Sequence, residues 1–123
     1  MKALSNQGLA EVAVYFQALG EPMRLRLLNL LREGERNVGD LAQECGTTPA
    51  NVSRHLSLLM TRGLVLRESR GTSAYYRIAD RSVYKLCDLV CGNIASHHAR
   101  SAREEVAAAA PAARRAGSRR VRS

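Results

Sequence analysis

The chain has 123 residues, 46% of them hydrophobic, which is enough for one domain whose core needs no structural metal or disulfide. Its formal net charge of +8 favours a partner that carries phosphates. No apolar run approaches the ~20 residues of a membrane span, and the N-terminal segment lacks the apolar centre of a secretory signal, so we expect a cytoplasmic protein with no membrane partner.

Two helices are predicted at the start of the chain. Along the first, apolar residues recur at helical spacing, at Leu9, Val12, Ala13, Phe16 and Leu19, and Gly20 ends it. The second begins at Pro22, where a missing N–H costs little, and continues to Gly34. Its leucines predict a central and largely buried helix: Leu25, Leu27, Leu28, Leu30 and Leu31.

A helix-turn-helix is predicted next. The apolar side of a short third helix, which Gly46 ends, consists of Val38, Leu41, Ala42 and Cys45. Thr48 is suited to cap a fourth helix and Pro49 to begin it, and this helix directs Val52, Leu56 and Leu59 inward. The second helix of such a pair can enter a DNA major groove about 12 Å wide.

The outer face of the fourth helix is the predicted DNA-reading surface. Its side chains are small, polar or basic: Thr48, Asn51, Ser53, Arg54 and Ser57. Arg54 can donate twice to guanine, and the short polar groups can reach phosphates or base edges. The alternative is a solvated face, but no acidic residue occurs between Glu44 and Glu68. For His55 two roles stay open, a phosphate contact or a structural hydrogen bond.

A β-hairpin is predicted after Gly63, from β-prone runs at residues 64–67 and 74–78 around a turn that contains Gly71. Arg67, Arg70 and Thr72 flank this turn. They are predicted to contact the phosphate backbone or the minor groove, with Arg70 the principal contact. Adjacent strand residues point to opposite faces, so one of Tyr75 and Tyr76 is expected in the core.

A fifth helix is predicted after Asp80, with Asp80 or Ser82 as its cap. Its apolar side comprises Val83, Leu86, Cys87, Val90 and Ile94. Beyond about Arg100 the sequence is Ala-rich and then rich in Arg, Gly and Ser, which predicts a frayed helix end and a disordered basic tail. We therefore expect a DNA-binding and dimerisation domain at residues 1–100 and a tail at 101–123.

The order of these elements resembles the ArsR/SmtB family of winged helix-turn-helix transcriptional regulators. Three strings carry the resemblance: LGEPMRLRLLNLL in the second helix, NVSRHLSLLMTRGLV in the recognition helix and RGTSAYYRI in the wing. It implies a mainly α fold with a β-hairpin wing, five helices, and a homodimer held by the first and last helices. It also implies a repressor that an inducer releases from double-stranded operator DNA. A two-fold dimer can place two recognition helices in successive major-groove turns about 34 Å apart.

Cysteines on the fifth helix are the candidate sensor. Cys87 and Cys91 lie one turn apart, with Cβ atoms about 5–6 Å from each other, which suits two thiolates on one soft ion better than a disulfide, whose Cβ atoms are about 3.8 Å apart. We expect arsenite, Cd(II), Zn(II) or an electrophile as inducer, with no cofactor required. The alternative is that Cys87 packs with its apolar neighbours. Cys45 is expected in the core, with a metal ligand as the alternative.

Two metal-site patterns of the resembled family are not matched. Asn37-Val38-Gly39 stands where one branch has Cys-x-Cys, and Asp80-Arg81-Ser82 stands where the zinc-sensing branch has Asp-x-His. His97 or His98 of one subunit can approach a thiolate of the other if the last helices pair antiparallel, giving a mixed nitrogen and sulfur site. Otherwise both are exposed near a helix end, where His⁺ suits the dipole.

Other functions are weighed against this one. The same fold could serve a redox-responsive or inducer-independent regulator, and the Arg-rich tail suggests non-specific nucleic-acid compaction. An enzyme is not expected, because the sequence has no Ser/His/acid set, no phosphate-binding Gly loop and no paired carboxylates in a plausible cleft.

Overall fold

The structure is a computed structural model that describes residues 3–109 in two compact units, the first ending at Val83 and the second beginning at Tyr84. The helices are α1 (Asn6–Leu19), α2 (Pro22–Leu31), α3 (Val38–Cys45), α4 (Pro49–Thr61) and α5 (Ser82–Ala109). The strands are β1 (Arg36–Asn37), β2 (Val65–Arg70) and β3 (Ser73–Ile78). This arrangement confirms the predicted class, mainly α with a β-hairpin wing.

Side-chain oxygens cap the first four helices. Each accepts a hydrogen bond from the backbone N–H three residues further on, at 2.8 to 3.1 Å, and the acceptors are Ser5, Glu21, Asn37 and Thr48. Such a bond satisfies one of the N–H groups that a helix start leaves without a partner. The predicted beginnings of α2 at Pro22 and of α4 at Pro49 are confirmed.

The core of the first unit lies among α2, α3, α4 and the sheet. On α4 the three residues predicted to point inward, Val52, Leu56 and Leu59, are all 0% exposed. The expectation that α2 is largely buried is wrong for Leu25, which is 41% exposed, although Leu27 and Leu28 are fully enclosed. With 3.6 residues per turn, a helix on this core buries one stripe and leaves the opposite side in solvent.

The predicted apolar face of α1 is only partly buried. Ala18 and Leu19 in its last turn are enclosed, whereas Leu9 is 45% and Phe16 50% exposed. The last turn of α1 packs against the core of the first unit. The earlier residues of its apolar face make no such contact and stay exposed in a single chain.

The wing is longer than the sequence indicated. β2 and β3 pair from Val65 opposite Ile78 to Arg70 opposite Ser73, so the predicted six-residue connection is wrong and only two residues form the turn. Gly71 has a φ of +60°, which lets the antiparallel ladder close. β1 adds an unpredicted third strand beside β3. Tyr76 is 3% exposed and Tyr75 is half-buried, which confirms their opposite orientations.

α5 begins with a cap from Asp80, whose Oδ1 accepts from the Ser82 N–H at 2.9 Å. Hydrogen bonds from the backbone and side chain of Ser82 hold the pKa of Asp80 below its ordinary value. The helix continues through Ala109, so the fraying expected beyond Arg100 is not found at residues 101–109, where Ala, Arg and Glu are strong helix formers. The rest of the predicted tail, 110–123, lies outside the described residues. Among the described helices, none has the length and apolar character needed to cross a membrane.

Candidate nucleic-acid interface

The turn between α3 and α4 presents α4 at the surface. Gly46 adopts the left-handed conformation, φ +64° and ψ +37°, and its N–H bonds the carbonyls of Ala42 and Gln43. A residue with a Cβ pays for this backbone conformation, whereas glycine does not. The Thr47 N–H also returns to Ala42 at 3.1 Å. The chain therefore leaves α3 and enters the Thr48 cap of α4 within two residues.

Two residues of the predicted DNA-reading face, Asn51 and Arg54, form a hydrogen-bonded row with Thr47. Arg54 donates from Nη2 to Oδ1 of Asn51 at 2.6 Å, and Asn51 donates from Nδ2 to Oγ1 of Thr47 at 3.1 Å. Thr48, Arg54 and Ser57 are exposed, whereas Asn51 and Ser53 are half-buried. Because its guanidinium is tied to Asn51, Arg54 loses little side-chain freedom when it meets a ligand.

His55 lies against α2. Its Nδ1 is 3.3 Å from Nη1 of Arg24 and 3.8 Å from a carboxylate oxygen of Glu21, and its side chain is only 14% exposed. The sequence does not indicate this contact, because a partner 31 positions away leaves no local pattern. The phosphate contact considered for His55 stays a prediction.

Arg70 in the wing is held by two carboxylates. Its two terminal nitrogens donate to both oxygens of Glu35, at 2.6 and 2.9 Å, and Nη2 also donates to Glu68 at 2.8 Å. The guanidinium lies 4.7 Å from the centre of the Tyr75 ring. Hydrogen bonds to Glu35 and then Glu68 raise the pKa of Arg70 above its ordinary value. The principal wing contact predicted from sequence is therefore already paired in the chain without DNA, and the sequence does not indicate its partners Glu35 and Glu68.

The other two predicted wing residues, Arg67 and Thr72, are both exposed. Arg67 donates to Oγ of Ser69 at 3.0 Å, and Thr72 stands in the turn. Arg77, on β3, reaches a Glu68 oxygen at 3.9 Å. The wing thus carries three arginines, and Glu68, which pairs with Arg70 and Arg77, offsets part of their charge.

The candidate sensor residues differ in their exposure. Cys45 is buried in the core, Cys87 is half-buried and Cys91 is exposed, and all three are thiols rather than disulfides. His97 and His98 are exposed with ring centres 6.3 Å apart. Among residues 3–109 of a single chain, no three His, Cys, Asp or Glu side chains converge as metal ligands would. One chain therefore offers the cysteine pair on α5, but not a complete three-ligand site within this part.

Comparison with known proteins points in one direction. Residues 21–66 match the family described as bacterial regulatory protein, arsR family. The HTH-type transcriptional regulator NmtR of Mycobacterium tuberculosis is 40% identical over 85 residues, which are 69% of this chain and 71% of that protein.

Solved structures extend the likeness to the fold. The homodimeric winged helix-turn-helix DNA-binding domain of a possible ArsR-family regulator from Mycobacterium bovis is 36% identical, with a TM-score of 0.67, over 79% of this chain and 93% of that one. The AntR antimony-specific transcriptional repressor is 32% identical, with a TM-score of 0.68, over 80% and 89%. The helix-turn-helix and the wing thus have counterparts in DNA-binding regulators.

Proposed function

The chain belongs to the arsR family of bacterial regulatory proteins, and on this premise we propose that it represses transcription by presenting α4 to the major groove of double-stranded operator DNA. Its relatives are transcriptional regulators, so the chain is a DNA-binding regulator and not an enzyme. The finer assignment rests on one observation. The outer face of α4 has no acidic residues, and a hydrogen bond to Asn51 fixes the Arg54 guanidinium on that face.

Base reading is assigned to Arg54, with Thr48, Asn51, Ser53 and Ser57 around it. A guanidinium donates to two acceptors of guanine in the major groove, and each good pair of this kind contributes about 1–3 kcal/mol of discrimination. The wing residues Arg67, Arg70 and Thr72 are assigned to the phosphate backbone or adjacent minor groove, which adds affinity without reading sequence. The arrangement therefore separates specificity, on α4, from general attraction, on the wing.

We assign the functional unit as a homodimer, as in the Mycobacterium bovis domain. Leu9 and Phe16 on α1, and Leu89, Val90 and Ile94 on α5, are each at least 45% exposed in one chain. Apolar stripes on these helices favour burial against a second copy. Two copies of α4 would then read two half-sites about one DNA turn apart.

The DNA-reading assignment is tested with duplexes selected by the purified protein from a randomised pool. Arg54→Ala is expected to weaken binding by about 5- to 150-fold, the equivalent of that discrimination energy, and to relax the preference at one base position. Arg62→Ala is the matched control, because it removes the same charge from the exposed C-terminal end of α4. Equal losses for both variants, with unchanged base preference, would contradict the assignment.

The inducer is assigned to the thiols of Cys87 and Cys91, where it weakens operator binding. The carrying observation is their one-turn spacing on α5 with Cys91 exposed. Arsenite, As(OH)₃, fits this pair, since two thiols replace two hydroxides, forming two S–As bonds and releasing two waters. Soft Cd(II) and Zn(II) accept the same thiolates, with further ligands from His97 or His98 of a second copy. The antimony response named for AntR belongs to that protein and agrees with a thiophilic inducer here.

Operator release upon titration with arsenite, Cd(II) and Zn(II) tests the sensor. Wild type and Cys45→Ala, which keeps both α5 thiols, are expected to release DNA, whereas the double variant Cys87→Ser/Cys91→Ser is not. Release that is equal in all three proteins contradicts the assignment. Release by peroxide alone, again dependent on the two cysteines, favours the redox-responsive alternative.

Non-specific compaction makes a different prediction. Removal of residues 101–123 would abolish binding, and Arg54→Ala would change nothing.

A further inference from the structure

Arg24 joins three parts of the first unit through one side chain. Its Nε donates to the Ala18 carbonyl at 2.7 Å and its Nη2 to the Gln17 carbonyl at 3.1 Å, both in the last turn of α1. Its remaining terminal nitrogen faces His55 on α4 at 3.3 Å. Glu21, the cap of α2, accepts from the Arg24 backbone N–H at 3.0 Å. One guanidinium on α2 therefore contacts both α1 and the recognition helix.

The chemistry of this contact sets the direction of the hydrogen bond. A guanidinium has only donors, so Nδ1 of His55 accepts from Nη1 of Arg24. A proton on Nδ1 would instead place two N–H donors face to face. Glu21, 3.8 Å from Nδ1, is the carboxylate on the same side of the ring.

We propose that Arg24 is a positioning residue for DNA binding, which acts through His55 to fix the orientation of α4 about its own axis. The inference rests on the proposed reading of DNA by α4. His55 is the next residue after Arg54 along the helix, so a rotation of α4 about its axis that shifts one Cα–Cβ bond shifts the other by the same angle. Rotation of a helix by ~10° moves a side chain at ~6 Å radius by about 1 Å. That displacement exceeds the ~0.5 Å range of a good N–H···O distance.

Lysine at position 24 separates this role from charge alone. Arg24→Lys keeps the charge, but a single ammonium does not reproduce the planar fork that reaches two carbonyls and an imidazole. Arg26→Lys is the matched control on the same helix, since Arg26 donates to the Glu44 carbonyl. With a duplex selected by the wild type, we expect Arg24→Lys to bind at least about tenfold more weakly and Arg26→Lys to stay within about threefold, both with wild-type helix content and oligomeric state.

Substitutions at His55 keep the test decisive if Arg24→Lys does not fold. His55→Asn places an oxygen acceptor, Oδ1, near the position that Nδ1 has in histidine. His55→Leu fills similar space without an acceptor. We expect His55→Asn to retain affinity within about threefold and His55→Leu to lose at least about tenfold. A merely structural role predicts losses that follow thermal stability, with no rescue by asparagine.

Two outcomes overturn the inference: Arg24→Lys and His55→Leu bind like their controls, or all His55 variants lose affinity in proportion to lost stability. Arg54→Ala, measured alongside, distinguishes a failure of DNA reading by α4 from a failure of the positioning role of Arg24. If it leaves affinity unchanged, the proposed reading of DNA by α4 fails. If it weakens binding while the Arg24 and His55 variants do not, only the positioning role fails.

Discussion

Replacement of Glu35 by glutamine should tighten DNA binding. In the chain without DNA, Arg70 gives two hydrogen bonds to Glu35 and one to Glu68, and both carboxylates compete with a phosphate for the same donors. Glu35→Gln removes one charge from this cluster and leaves Arg70 with a single carboxylate. The wing then carries one more effective positive charge towards the DNA backbone.

The magnitude follows from counterion release. If Arg70 gains one phosphate contact, the slope of log affinity against log salt steepens by about 0.9. Over a fourfold change of salt, from about 50 to about 200 mM, the advantage of Glu35→Gln over wild type should therefore shrink by about 3.5-fold. Fluorescence anisotropy with a selected duplex at several salt concentrations measures both quantities.

A neighbouring glutamate supplies the control for this experiment. Glu33→Gln removes the same charge from the same loop, but Glu33 pairs with Arg36 at 3.2 Å and not with Arg70. The reasoning is refuted if Glu35→Gln binds no more tightly than wild type with an unchanged salt slope, or if Glu33→Gln produces the same steepening. Weaker binding by Glu35→Gln would mean that the carboxylate positions Arg70 instead of competing for it.

Three further predictions concern stability, each measured by urea or thermal unfolding at one fixed protein concentration. Leu56→Ala, at a site 0% exposed, should cost about 2–5 kcal/mol of unfolding free energy, whereas Leu58→Ala, at a site 37% exposed on the same helix, should cost much less; equal costs would contradict the packing. Gly46→Ala should cost about 1–2 kcal/mol of backbone strain, because φ is +64°; an added Cβ there would meet no atom within 4 Å. Gly39→Ala in α3 is the control and should not destabilise the protein. A Gly46→Ala variant as stable as wild type would show that the turn relaxes. Asp80 has a lowered pKa, so its contribution to folding stability is present above its unfolded pKa of about 3.9 and is lost as pH falls through the lower folded value. The difference in melting temperature between wild type and Asp80→Asn should therefore vanish in acid. A difference that stays constant with pH would argue against the cap.

Most of the fold could be predicted because its signals are local. The caps at Thr48 and the left-handed turn at Gly46 depend on residues within a few positions of each other. The inward row of α4 follows from the helical period, and Val52 and Leu56 lie where that period places them. The face that carries Arg54 could be named for the same reason, since it is the side opposite the core.

The amino-acid sequence by itself thus determined the order of the helices, the hairpin, the core side of α4 and the candidate DNA-reading residues, because capping and periodicity act between near neighbours. Only the tertiary structure decided which distant side chains meet. Arg24 reaches His55 across 31 positions and Arg70 reaches Glu35 across 35, and β1 pairs with the distant strand β3. Such pairings depend on how elements pack, and packing is set by the whole core rather than by any local pattern.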